Sequence, residues 1–117
     1  MVSISIISNK KSRYLELKVN GHAGMAELGH DIVCAAVSII TYTVAQSVSN
    51  MRENKLLTEC PLISLENGDA VISCKCKSRS FDEMEKTFKF ARIGYALLTH
   101  SYPQYVELNV NGEAVRL

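Results

Sequence analysis

Two side chains stand out for the chemistry they could do: Cys34 and His22, twelve residues apart. A thiol within hydrogen-bond reach of an imidazole makes a nucleophile with its general base and acid. Asp31 reads as a helix N-cap, its side chain accepting from free N–H groups of the first turn. On that reading Cys34 falls in the first turn, where unpaired N–H groups and the helix dipole favour a thiolate. The same N–H groups would hold an oxyanion. Gly21, Gly24 and Gly29 punctuate the stretch Gly21-His22-Ala23-Gly24-Met25-Ala26-Glu27-Leu28-Gly29-His30. Such glycine density predicts an irregular loop able to fold His22 back over the helix start. Each residue also has a plainer reading. Cys34 is followed by Ala-Ala-Val and fits a buried helix as a small apolar residue. His22 fits a solvated loop.

Three other cysteines accompany Cys34: Cys60, Cys74 and Cys76. An even count in a short chain signals disulfides only in a secretory setting. The start, Met1-Val2-Ser3-Ile4-Ser5-Ile6-Ile7-Ser8, alternates apolar and polar residues and lacks the basic start and small-residue cleavage site of a signal peptide. The expectation is therefore a cytoplasmic chain with reduced thiols. Cys74 and Cys76 are two apart in a predicted strand and share one face. Zinc sites need four ligands at wider spacing, and no second pair is present. These two read as core or sheet-face cysteines, and neither metal nor cofactor is called for.

The elements that must position Cys34 and His22 follow from periodicity. Val2, Ile4 and Ile6 alternate with serines, and Leu15, Leu17 and Val19 alternate with charged residues, predicting a strand hairpin across Asn9–Ser12. From Ile32 to about Met51, Val33, Val37, Ile40, Val44 and Val48 recur at helical steps. Ile32, Ala36 and Ile39 widen that stripe until the helix is apolar over much of its circumference. One small sheet cannot cover such a helix, so a partner subunit is expected. Leu62–Leu65 and Ala70–Cys76 form a second hairpin around Asn67-Gly68. Ser80 and Glu83 fit a capping box ahead of a helix ending near His100, before Pro103. Tyr105–Val110, a turn at Asn111-Gly112 and a short last strand complete the order β-β-α-β-β-α-β-β. That order predicts an α+β fold, a small, mostly antiparallel sheet with two main helices.

The 117 residues allow a single domain, 1–117. A hydrophobic fraction of 47% excludes a disordered chain. The net charge of +1 argues against direct nucleic-acid binding. No uninterrupted apolar run approaches the ~20 residues of a membrane span.

Gly21-His22-Ala23-Gly24, a short gap, then Gly29-His30-Asp31-Ile32-Val33-Cys34-Ala35-Ala36-Val37-Ser38 resemble the signature of the bacterial ribosomal-processing cysteine proteases, the Prp or YsxB-like family. Two linked blocks with a matching gap are far more specific than a lone Cys or His. The resemblance implies a cytoplasmic, homodimeric cysteine endopeptidase. Its substrate would be the precursor of the large-subunit ribosomal protein numbered twenty-seven. The enzyme would remove an N-terminal extension that ends in aromatic residues, cutting before a small residue, as ribosome maturation requires. It makes Cys34 the nucleophile and His22 the base and acid. Gly21 would permit the bend that aims His22. Asp31 would cap the helix or orient His22. Ser38, one turn after Cys34, would face the site or back-bond to a helix carbonyl. Gly24 and Gly29 would bound a gating loop, with Met25 and Leu28 as walls for the substrate.

Two other functions fit the same residues. A non-enzymatic ribosome-associated assembly factor would bind the same partner without needing the His22/Cys34 pair. A thiol redox sensor would use Cys34 alone.

Overall fold

A computed structural model describes residues 1–21 and 28–117, with residues 28–31 described by their backbone alone. Its order is β1 (Val2–Asn9), β2 (Tyr14–Asn20), α1 (Leu28–Glu53), β3 (Leu62–Glu66), β4 (Asp69–Lys75), α2 (Phe81–Ser101), β5 (Val106–Val110) and β6 (Glu113–Ala114). The expected α+β class and element order hold.

The six strands form one sheet, β3-β4-β2-β1-β5-β6. The three expected hairpins pair antiparallel. The β2–β4 pair is also antiparallel. β1 and β5 run parallel, Val2 opposite Val106. This makes the sheet mixed and puts the first strand near its centre. Turn chemistry differs between the two Asn-Gly hairpins. Asn111 and Gly112 both adopt positive φ, +50° and +83°, as a two-residue primed turn demands. At Asn67-Gly68 only the glycine does, with φ +76°, which matches a type II pattern.

Alternation along the strands puts Ile4, Ile6, Leu15, Leu17, Ile72 and Leu108 on one buried face. Against it lie Val33, Val37, Val44 and Val48 of α1 and Met84, Phe88, Ala91 and Tyr95 of α2. Thr41 and Tyr95 join the two helices through a hydroxyl–hydroxyl contact of 2.7 Å. By length and composition alone, Ile32–Glu53 is apolar enough to cross a membrane, with mean hydropathy 1.6. In the structure its valine stripe packs into the core. Its other flank stays open, with Ile39 64% exposed.

Two expectations about helix starts fail. α1 begins at Leu28, so Asp31 is its fourth residue and not its N-cap. Gly29 and His30 are likewise helical and not loop residues, so Gly29 does not bound the loop. The helix runs back over the glycine because propensity is a weak signal against tertiary context. Ser80 does precede α2, but its hydroxyl makes no cap bond. It donates to the Leu56 carbonyl at 2.6 Å instead, tying the α1–β3 connection to the start of α2.

Candidate active site

Cys34 is the seventh residue of α1 and its side chain is exposed. It lines a cavity of about 120 Å³ between the N-terminal half of α1 and one end of the sheet. Ser38, one turn later, lines the same cavity and is half-buried. The helix rise brings these side chains together, since positions four apart share a face. Thr41, Thr43 and Ser47 each donate to the carbonyl four residues earlier. Among the described residues Ser38 makes no such bond, and it lines the cavity.

The helix start corrects one part of the expected activation. Cys34 lies beyond the first turn, whose four N–H groups lack intrahelical partners. The dipole effect also fades within that turn. Free amides of the helix start therefore do not lie at Cys34, and an oxyanion there needs other donors.

Gly21 closes the opposite wall. It follows β2 with φ +100°. Its N–H donates to the Gly68 carbonyl at 3.0 Å. A Cβ at this position would collide with the Met1 carbonyl oxygen. Conformation and space both demand glycine here. His22, Gly24 and Met25 lie outside the described residues. Leu28 and Asp31 are described in backbone only.

The third wall is the β3–β4 turn, Leu65 to Ala70. Sequence reasoning identified this turn but did not connect it to Cys34. The missing information is how α1 crosses the sheet, which no local pattern carries. Glu66 and Asp69 stand on this wall. Neither has an ion pair among the described residues, so the rim is acidic although the chain is nearly neutral.

The other cysteines separate cleanly. Cys74 and Cys76 are buried core residues, as their spacing predicts. A hydrogen bond to Cys76 and burial push the Cys74 thiol well above the usual thiol range. Cys60 is exposed, and no cysteine is paired in a disulfide. An accessible thiol with a hydroxyl one turn away on one cavity wall can accept a substrate carbonyl for nucleophilic attack.

The chain matches known proteins along nearly its whole length. The family described as Cysteine protease Prp matches residues 1–107. The ribosomal processing cysteine protease Prp of Staphylococcus aureus is 22% identical over 109 residues, covering 93% of this chain and 98% of that protein. The crystal structure of the essential S. aureus ribosomal processing protease Prp with a substrate peptide superposes with a TM-score of 0.69 at 20% identity. That match covers 95% of this chain and all of the other. The SMU.848 protein of Streptococcus mutans gives a TM-score of 0.68 at 23% identity, covering 94% and 93% of the two chains. These solved structures share the fold. With a cavity-facing cysteine and the family match over residues 1–107, the chain belongs to the Prp family of cysteine proteases, and its activity is that of a cysteine-type peptidase.

Proposed function

We propose that the chain is an endopeptidase that removes the N-terminal extension of the large-subunit ribosomal protein numbered twenty-seven, with Cys34 as nucleophile and His22 as general base and acid. The observation that carries this reading is the exposed Cys34 thiol lining one cavity with Ser38 and Gly21. The thiolate attacks the scissile carbonyl and forms a tetrahedral intermediate. Collapse expels the amine, which takes a proton from the His22 imidazolium and leaves a thioester on Cys34. Water then attacks the thioester, giving its proton to His22, and the free thiol returns. No metal or cofactor enters these steps. Gly21 fixes the chain direction into His22, and Gly24 permits the loop to open and close around substrate.

Location and assembly belong to the same proposal. Four free cysteines suit a reducing cytoplasm. Self-association is supported by exposed apolar residues along α1 and α2: Ile39, Phe90, Ile93 and Leu97. They line one groove, and apolar patches of this kind mark protein interfaces. The proposal assigns that groove to a homodimer.

The test is incubation of the protein with the precursor ribosomal protein and mass analysis of the products. A single cut after the aromatic residues, lost in Cys34→Ala and in His22→Ala, is the expected result. Cleavage that persists in Cys34→Ala overturns the assignment. Stable binding without cleavage by the wild-type chain supports the assembly-factor reading instead.

A further inference from the structure

The sheet has an open edge that ends at the cavity. β3 is the terminal strand and pairs only with β4. Glu66 opposite Asp69 closes a two-residue turn. In such a hairpin the closing pair is hydrogen-bonded, and bonded pairs recur at every second residue. Leu62, Ser64 and Glu66 therefore turn their backbone groups toward β4, while Ile63 and Leu65 turn theirs outward. Among the described residues no hydrogen bond reaches those outward groups. Leu62–Glu66 contains no lysine, no proline and no bulge, and its one charged residue, Glu66, stands at its end.

Position gives this edge a direction. Ile63 and Leu65 stand opposite Ile72 and Ala70, both buried beneath the helices. Their side chains thus lie on the helix-bearing face. Leu65 and Glu66, at the end of the strand, line the Cys34 cavity. A chain laid along β3 is led past Leu65 to the thiol.

We propose that the peptide substrate docks as an extended strand on the outer edge of β3, bonding the backbone of Ile63 and Leu65, and that this pairing delivers the scissile bond to Cys34. The occupant is a short unstructured peptide because the edge is five residues long and continuous with the cavity of a peptidase. Backbone pairing supplies affinity in such additions, and alternate side chains supply selectivity. Every second substrate side chain would face Leu65 and Tyr42, which line the cavity wall. This inference rests on the proteolytic reading and deepens it.

The test is a scan of singly N-methylated peptides, each with an aromatic pair followed by a small residue at the cut. Methyl groups are placed two to five residues before the scissile bond. Strand addition predicts an alternation: methylation of every second amide lowers kcat/KM by about tenfold, the weight of one lost hydrogen bond with its clash, and the amides between change little. Ile63→Pro removes one outward N–H and lowers kcat/KM further than Ile63→Ala, which loses the same packing against the core but keeps that N–H. Ser64→Pro removes an inward one and lowers stability. A wild-type chain that cleaves no peptide defeats the underlying function. Cleavage without the two-residue alternation defeats the strand addition alone. A change of mass in Ile63→Pro by light scattering, with no alternation, assigns the edge to a second copy and also overturns it.

Discussion

The Tyr95 hydroxyl donates to Thr41 Oγ1 in the core, 2.7 Å away, because Thr41 spends its own proton on the Val37 carbonyl. This contact ties α2 to α1 three residues beyond Ser38. Thr41 also lines the Cys34 cavity, so the same hydroxyl pair anchors the helix that carries the thiol. Removing either partner has an unequal cost. Thr41→Val leaves the buried Tyr95 hydroxyl without an acceptor and should cost about 1–3 kcal/mol. Tyr95→Phe leaves Thr41 bonded to Val37 and should cost about 1 kcal/mol. Urea unfolding of both variants measures the difference.

Alkaline pH tests the same tyrosine. Burial raises its ionisation well above the ordinary value of 10.0. The folded chain therefore holds the proton where the unfolded chain has lost it. This contribution is complete below the ordinary value and is lost as pH rises above it toward the folded one. Stability should fall as pH rises past 10, and Tyr95→Phe should flatten the fall. Unfolding midpoints between neutral pH and that range give the comparison.

Glycine substitutions should rank by space as well as conformation. Gly21 and Gly112 both have positive φ. A Cβ at Gly21 meets the Met1 carbonyl, whereas nothing lies within 4 Å of one at Gly112. Gly112→Ala should cost about 1 kcal/mol, and Gly21→Ala more, toward about 3 kcal/mol. Gly21→Ala should also lower kcat/KM, because the displaced wall belongs to the cavity. Thermal melts and peptide cleavage together check the order.

Cysteine substitutions should separate activity from stability. Cys34→Ala removes an exposed thiol and should change stability by less than about 0.5 kcal/mol while abolishing cleavage. Cys76→Ala removes a fully buried side chain and should destabilise by about 1 kcal/mol or more. Circular dichroism melts set beside cleavage rates distinguish the two.

Phe90, 79% exposed on α2, is the most open large apolar residue described. Phe90→Asp places a charge in the groove between the helices. If the groove holds a second copy, the variant should run as a monomer in light scattering where the wild type runs as a dimer.

What the sequence made legible was local. Alternation at Val2–Ile6 and Leu15–Val19 located β1 and β2, and Asn-Gly pairs located two turns. The Gly-His block and the Cys-containing helix carried the family. Non-local relations were not readable. Nothing in Val2–Ile6 announces β5 as its parallel neighbour, because that pairing depends on how α2 crosses the sheet. The acidic Asp31 looked like a cap, yet α1 extends back over Gly29. Ser80 looked like half of a capping box, yet its hydroxyl satisfies Leu56. In both cases a short-range signal lost to a demand set elsewhere in the fold. The β3–β4 turn was visible as a turn and invisible as a wall of the site for the same reason.

The parallel β1–β5 pair has a consequence for synthesis. Ser3 bonds Glu107 across 104 positions, so β1 waits for most of the chain to be made before it gains its second neighbour. While a ribosome is still translating the chain, β1 has one bare edge until β5 emerges. Long-range closure of this kind is slow and leaves an interval open to misassociation. The nascent protein therefore completes its sheet only once β5 and β6 have emerged.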